Sequence, residues 1–299
     1  MAYPTVSAPY GLKPINLIGG QVFAGSTRNI AIQYGFNTNI FYGDVVGISR
    51  GFVTRVSMTT GATGLGATGE GNIGVFLGVT YTNPQTKQKQ FAQYWPAGTL
   101  AGDAQAIVTD DPDTLFKVAA VTAAAGTTIG SVARPMIGLN VTGSNLAGNI
   151  NNGNSSNAIV PSVSVANTST LPFRIVDVVP DTAIVSNATL SSGGGGTSLV
   201  VTGLTSTLPF GTEVGYLAAN GQYIGTGSWV AAAVTGTGSQ TVTINSQAVT
   251  VNSPTSTAST GITIPASSTL VFTQYPEAVV KFNFGIHEYY SNTALAATL

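Results

Sequence analysis

The sequence predicts an all-β protein with an antiparallel β-barrel or sandwich as its main domain, a small inserted all-β domain and an extended N-terminal arm. Three observations support this fold class. Short runs such as GQVFAG, NIAIQYG and NIGVFLGVTYT recur with glycine between them, which is typical of antiparallel barrels and sandwiches. Charged residues make up 7% of the chain, against about 25% in an average domain. The strongest turn signal, Asn220-Gly221 in GYLAANGQYIG, favours a hairpin closed by a type I′ turn.

Residues 1–14 are predicted to form the arm. Pro4, Pro9 and Pro14 punctuate this stretch, and proline is incompatible with a helix interior. A Pro-rich arm suits draping over a neighbouring subunit or adding a strand to it. We therefore regard Tyr3, Pro4 and Tyr10 as candidate interface residues.

The main domain is predicted to comprise residues 15–183 and 272–299. Two alanine-containing runs within it, LAGDAQAIV and KVAAVTAAAG, fit a strand and a short helix equally well. The uncharged stretch GSNLAGNINNGNSSNAIVPS is a polar loop, which is either mobile or pinned by a neighbouring segment.

The inserted domain is predicted to comprise residues 184–271, a stretch of 88 residues with a single charge, Glu213. It opens with the flexible run SSGGGG, and QTVTINSQAVTVN alternates like a pair of strands. Tyr223 and Trp229 are its candidate aromatic binding residues, since both can stack on a sugar.

The C-terminal run VVKFNFGIHEYY alternates with a period of two and is predicted to be the strand that closes the main domain. One face carries Val280, Phe282, Phe284, Ile286 and Tyr290, and the other carries Lys281, Asn283, Gly285 and His287. We expect Phe282 and Phe284 to lie in the core.

Aromatic residues also occur in pairs, including Tyr94-Trp95 and Tyr289-Tyr290. Such pairs serve either core packing or interface anchoring, because Tyr and Trp are enriched at binding hot spots. Trp95, Tyr289 and Tyr290 therefore join the candidate interface residues.

The residues that could carry chemistry are few. The chain has no cysteine and one histidine, His287. Neighbours in a strand point to opposite faces, so His287 and Glu288 should not act together. The run GLGATG at residues 64–69 is followed by a strand-like segment, whereas a dinucleotide-binding loop must open a helix. We expect no catalytic residues and no cofactor.

Asp110, Asp111 and Asp113 cluster in TDDPDT. Three carboxylates in a turn could ligate a cation such as calcium, but Asp and Pro also stabilise turns without metal. The alternating ligand spacing and distal glutamate of a known calcium loop are absent from this segment. We favour a plain turn.

Composition excludes several classes of partner. Ten basic residues are too few for the basic stripe of a nucleic-acid-binding protein. No apolar run approaches the roughly eighteen residues of a membrane helix. The start, MAYPTVSAPYGLKP, has neither a basic nor an apolar signal region, so we expect no secretory signal.

Several segments resemble a family of virion structural proteins from tailed phages, mainly marine ones. They are APYGLKPINLIGGQVFAGSTR, FYGDVV, VTYTNPQTKQKQFAQYWPAG, AGDAQAIVTDDPD and VVKFNFGIHEYY. The resemblance covers residues 1–183 and 272–299. It implies a decoration or cement protein on the outer capsid surface, with the major capsid protein and sister copies of itself as partners. We expect a homotrimer.

Two alternative functions remain open at this stage. The chain could be a tail or fibre component whose inserted module binds a host-surface glycan. It could also be a polysaccharide hydrolase, for which Asp110 with Asp113, or Glu277 with a distant Asp, would supply the two carboxylates.

Overall fold

The structure is a computed structural model that describes residues 6–18, 20–58, 72–163, 165–166, 171–194, 197–245, 250–251, 263–265 and 267–283. Within these ranges all regular structure consists of β-strands and two short 3-10 turns, at Arg134–Met136 and Pro180–Thr182. The predicted all-β fold class is therefore confirmed.

The first ten strands are β1 (Lys13–Leu17), β2 (Arg28–Ala31), β3 (Val45–Ser49), β4 (Phe52–Arg55), β5 (Asn72–Thr82), β6 (Lys89–Ala92), β7 (Gln105–Thr109), β8 (Thr114–Ala119), β9 (Asn140–Val141) and β10 (Val165–Ala166). The other ten are β11 (Phe173–Val178), β12 (Ile184–Gly194), β13 (Ser198–Leu204), β14 (Glu213–Leu217), β15 (Tyr223–Trp229), β16 (Gly238–Thr243), β17 (Thr250–Val251), β18 (Thr263–Ile264), β19 (Thr269–Gln274) and β20 (Glu277–Phe282).

The described residues form two compact units. The large unit comprises Ser7–Thr128, Gly138–Val176 and the described residues from Ala278 onward. The barrel unit consists mainly of Ile129–Ile137 and Asp177–Glu277. The predicted insertion, residues 184–271, lies wholly within the barrel unit, which begins before it and ends after it. The barrel unit also takes in residues 129–137, which the sequence analysis assigned to the main domain.

Two six-stranded sheets build the large unit. One has the order β1-β8-β20-β11-β9-β10, and the other has the order β2-β7-β5-β3-β4 with β6 paired to β5. Strand β5 is buried on both faces over its first five residues, as expected for a central strand of Val, Ile and Phe. Gly74 lets this strand approach its neighbour, because a Cβ there would lie 1.8 Å from the Thr109 carbonyl oxygen.

The last described strand carries the aromatic core of the first sheet. Strand β20 lies between β8 and β11, so the C-terminal segment completes the middle of the sheet. The Phe282 ring centroid is 5.3 Å from that of Phe116 and 5.5 Å from that of Phe173. The prediction that Phe282 is a core residue is confirmed, whereas Phe284 and His287 lie outside the described residues.

The barrel unit contains a six-stranded antiparallel sheet of order β15-β14-β19-β12-β13-β16 and a separate parallel pair, β17 with β18. The two outermost strands of the six-stranded sheet meet, because Val230 and Ile244, the residues that follow β15 and β16, form an antiparallel bridge. The Ala231 N–H donates to the Thr243 carbonyl oxygen at 2.8 Å, and the Asn245 N–H donates to that of Trp229 at 2.9 Å. The sheet therefore closes on itself, which removes exposed strand edges at this seam.

The interior of this barrel is apolar. Its buried side chains are Ala188, Leu190, Leu199, Val201, Leu204, Leu208, Val214, Tyr216, Val230, Val234, Val242, Ile244, Ile264, Leu270 and Phe272. Because side chains alternate across a strand, the residues between them on β12, β14, β15 and β19 form the outer surface.

The two alanine-containing runs each contribute to a strand. LAGDAQAIV contributes β7 and KVAAVTAAAG contributes the end of β8. Ala106, Ala119 and Ala120 are completely buried. Burial in the core outweighs the helical preference of alanine there.

The predicted hairpin exists, but its turn type is different. Strands β14 and β15 pair, and the Gly221 N–H donates to the Ala218 carbonyl oxygen at 2.8 Å. Gly221 has a φ of 79°, whereas Asn220 is not among the residues with positive φ. A type I′ turn needs positive φ at both central residues, so this loop is a type I turn followed by a left-handed glycine.

The later part of the predicted N-terminal arm packs into the large unit. Pro9, Gly11 and Leu12 are buried, and the Leu12 N–H donates to the Gly43 carbonyl oxygen at 3.0 Å. Strand β1 begins at Lys13 and pairs with β8. Residues 9–14 thus belong to the large unit, because proline is tolerated in an edge strand.

Candidate functional site

Several residues singled out in the sequence lie outside the described residues. These are the glycine-rich run at residues 64–69, the candidate interface residues Tyr3, Pro4, Tyr289 and Tyr290, and the His287-Glu288 pair. The assignments made for them stay predictions.

The aspartate cluster is a charged turn between β7 and β8. Asp110 forms an ion pair with Arg28, whose Nε donates to the carboxylate at 2.6 Å. The Asp113 N–H donates to the Asp111 side chain at 2.9 Å, and Lys281 lies 3.8 Å from the Asp113 carboxylate. The described ranges contain no group of three or more His, Cys, Asp or Glu side chains placed to hold a metal.

The two remaining interface candidates occupy different environments. Trp95 is completely buried, where it makes an edge contact with Tyr81 at 5.5 Å between ring centroids. Its indole N–H donates to the Phe36 carbonyl oxygen at 3.2 Å. Trp95 is therefore a core residue with no surface to offer a partner in this conformation. Tyr10 is half-buried, with the Lys13 ammonium 4.4 Å from its ring centroid.

A buried ionic network that the sequence analysis missed fixes the polar loop of the large unit. Asp44 is fully buried, 3.0 Å from the guanidinium of Arg55. Ser155 and Asn157 donate side-chain hydrogen bonds to Asp44 at 2.6 Å and 2.9 Å, and Arg55 donates to the Leu146 carbonyl oxygen at 2.6 Å. Burial raises the pKa of the Asp44 carboxyl, while Arg55 and the hydrogen bonds oppose this shift. The loop is thus pinned, one of the two predicted alternatives.

The only charge of the predicted insertion, Glu213, is buried on the outer side of the barrel. It heads β14 and pairs in register with Trp229 on β15. The Arg134 backbone N–H and the Tyr223 hydroxyl donate hydrogen bonds to its carboxylate, and its Oε2 has no hydrogen-bond partner. Burial raises the pKa of Glu213, and the guanidinium of Arg134 lowers it by a smaller amount.

Arg134 lies in the 3-10 turn and approaches Glu213 and Tyr223, and together with Tyr275 these residues form a cluster. The Val132 N–H donates to the Tyr275 carbonyl oxygen at 2.9 Å. The Ser131 hydroxyl donates to the Gly211 carbonyl oxygen at 3.1 Å. These bonds tie the segment to the barrel. The Arg134 Nε in turn donates to the Tyr275 hydroxyl at 3.1 Å.

Tyr223 is an exposed member of the cluster. Its residue surface is 44% exposed, and its ring lies over Gly215. A Cβ built on Gly215 would come within 2.3 Å of ring Cε2 and 2.5 Å of the hydroxyl oxygen. Burial and the adjacent Glu213 raise the pKa of Tyr223 to about 12. Trp229 lies on the same side of the sheet and is half-buried.

The large unit has a shallow cavity of about 420 Å³ between two loops, lined among others by Tyr81, Pro84, Thr99 and Leu100. Tyr81 is buried at its floor, and the Thr99 hydroxyl donates to the Pro96 carbonyl oxygen at 2.7 Å. The cavity thus offers mostly loop backbone and neutral side chains.

Comparison of the chain with models of known protein families, with characterised proteins and with solved structures gives no match. Among the described residues, no helix has the length and apolarity to cross a membrane. The fold and the side-chain arrangement define a charge-poor all-β protein in which several of the described ionisable groups are engaged in structural pairs and clusters.

Proposed function

We propose that this chain is a structural virion protein that decorates and cements a phage capsid by binding the major capsid protein and sister subunits. The observation that carries the proposal is an edge strand in the large unit with an exposed aromatic side chain. Phe91 on β6 is 78% exposed, and β6 pairs with β5 but with no other strand in the described ranges.

Such a strand suits assembly by strand addition. An edge strand presents unpaired backbone groups to another chain, and an exposed aromatic side chain beside them supplies a binding anchor. A capsid subunit or a second copy of this chain can add a strand to β6 while its apolar side chains cover Phe91. The low charge of the chain fits this role, because the cores of protein interfaces are depleted of charged residues.

The ion pairs of the large unit also fit a structural role. Arg55 and Asp44 fix a loop, and Arg28 with Asp110 fixes a turn. Charged side chains used in this way stiffen the unit, and a rigid surface loses less conformational entropy when it binds. A cement protein that must hold neighbouring subunits together benefits from such rigidity.

Quantitative mass spectrometry of purified virions tests the proposal. A decoration protein should be present in a copy number comparable with that of the major capsid protein. A few copies per virion would favour a tail or fibre component, and absence from virions would refute the proposal.

Binding to assembled capsids tests the β6 strand itself. We expect Phe91→Ser to weaken co-sedimentation with capsids. The matched control is Val22→Ser, which alters an equally exposed apolar residue of the same unit. Equal binding by both variants and the unaltered chain would remove β6 from the interface.

A further inference from the structure

The outer surface of the barrel unit carries hydroxyl, amide and aromatic side chains around Tyr223. We call the outward residues of strands β12, β19, β14 and β15 the Tyr223 face. Residues that alternate with the apolar interior project from it: Val185, Asn187, Thr189, Thr269, Thr273 and Tyr223. All are exposed or half-exposed.

The ring of Tyr223 lies against bare backbone. Gly215 and Gly225 oppose each other in register on β14 and β15. A Cβ on Gly225 would lie 3.8 Å from the Tyr223 ring, and one on Gly215 would collide with it. One side of the ring therefore rests on the sheet at these two glycines, and the exposed part of the ring faces solvent as a flat apolar platform.

Fixed polar groups lie at the edge of this platform. The Tyr223 hydroxyl is held by the Glu213 carboxylate, and the exposed Arg134 guanidinium is held by the Tyr275 hydroxyl. The packing of the ring over Gly215 sets its position, and Glu213 marks the polar edge of the platform. Arg134 retains N–H groups beyond the one bonded to Tyr275, and these can donate to a ligand.

The charge of the face indicates a neutral ligand. The buried Glu213 carboxylate and the exposed Asp177 lie near the Arg134 guanidinium, and the projecting side chains are uncharged, so the face has no excess of positive charge to attract an anionic ligand. A flat ring beside a few fixed polar groups is the usual composition of a small-ligand site. A pyranose matches it, because its C–H face is apolar and its rim carries hydroxyl groups that donate and accept hydrogen bonds.

We propose that the Tyr223 face binds a neutral carbohydrate, with a pyranose ring stacked on Tyr223 and its hydroxyls bonded to Arg134 and the neighbouring Thr and Asn side chains. This site rests on the barrel unit alone, so it stands or falls separately from the capsid role proposed above.

Affinity electrophoresis of the full chain tests the site, in native gels that contain dextran, mannan or galactomannan, with alginate as an anionic comparison. We expect at least one neutral polysaccharide to retard the chain. Tyr223→Ala should weaken that binding roughly tenfold, the upper range for a lost aromatic contact, and Tyr223→Phe should keep most of it. Tyr34→Ala, which removes an exposed tyrosine of the large unit, should change nothing.

Hydroxyl-radical footprinting of the unaltered chain gives a second measurement that does not depend on the folding of a variant. The polysaccharide that retards the chain should protect Tyr223 from oxidation and leave Tyr34 unprotected. No retardation by any of the three neutral polysaccharides, retardation by alginate only, equal binding by Tyr223→Ala, or unprotected Tyr223 would each overturn the proposal.

Discussion

The ring of Tyr223 occupies the space that a side chain on Gly215 would need, with ring Cε2 2.3 Å from the position of that Cβ. This relationship places the Tyr223 hydroxyl beside Glu213, two residues earlier on β14. The absence of one side chain thus sets the position of a ring, a hydrogen bond and a buried charge.

Gly215→Ala should displace the Tyr223 ring while the barrel stays folded, because a ring at the end of a side chain can move more easily than backbone. The pKa of Tyr223 should then fall from about 12 toward the ordinary tyrosine value, because the displaced ring loses its burial and its hydroxyl leaves Glu213. NMR titration of chain labelled at tyrosine Cζ, with Tyr223→Phe to assign the signal, measures this shift. Gly225→Ala is the matched control, since its Cβ would make an ordinary contact with the Tyr223 ring at 3.8 Å. An unchanged Tyr223 titration in Gly215→Ala would contradict the position of the ring over Gly215.

Glu213 should make stability depend on pH in a defined direction. Burial raises its pKa in the folded chain, so the folded state favours the protonated carboxyl. Its contribution to stability is complete below the pKa of an unfolded glutamate and is lost as the pH rises through the raised pKa. Glu213→Gln should therefore gain thermal stability relative to the unaltered chain as the pH rises from acid to neutral. Melting temperatures of both chains across this range check the prediction, and a pH-independent difference would refute it.

Arg55 should be essential for the stability of the large unit. Arg55→Leu leaves the fully buried Asp44 carboxylate without its cation, and breaking a buried pair costs about 3–5 kcal/mol. Arg28→Leu is the control, because half of the Arg28 side chain is exposed and a surface pair contributes less than about 1 kcal/mol. Urea unfolding measures both free energies, and similar losses would show that the Asp44 network does not stabilise the fold.

Phe282→Ala should destabilise the first sheet of the large unit by about 3–5 kcal/mol, because the ring packs between Phe116 and Phe173 in a central strand. Phe91→Ala, which truncates an exposed ring, should have a small effect. Urea unfolding that gave the two variants equal stability would overturn the assignment of Phe282 to the core.

Deletion of residues 1–5 tests the remaining part of the predicted arm. The deletion removes the candidate interface residues Tyr3 and Pro4 but spares Leu12, which is bonded to Gly43. We expect the shortened chain to keep its melting temperature and to bind assembled capsids more weakly. Unchanged co-sedimentation with capsids would exclude these two residues from the interface.

The fold was predictable from the sequence where local signals dominate. The alternation around Phe282 and the Asn220-Gly221 pair located a core strand and a hairpin, because both depend on neighbours in the chain. The turn type was not predictable, since the φ of Asn220 depends on how β14 and β15 pair. Ala119 and Ala120 lie in or beside a strand, where they are completely buried, and that burial depends on contacts that the local sequence does not show.

The candidate sites depend on distant contacts, so sequence reasoning reached them only in part. Tyr223 was singled out as an aromatic, but its position over Gly215 requires the strand register. Asp44 precedes β3 and Arg55 ends β4, and the pairing of these two strands brings the side chains together. Loop residues from Leu146 to Asn157 surround them. One sequence signal was available for Glu213, which is the only charged residue within 88 residues. A charge that is buried needs partners that compensate for its lost hydration.

A low-resolution density map of the intact virion would locate this chain directly. If the chain decorates the capsid, its density should lie on the outer surface of the head, repeated at symmetry-related positions and in contact with the major capsid protein. Density confined to the tail, or a head surface without it, would contradict the proposed decoration role.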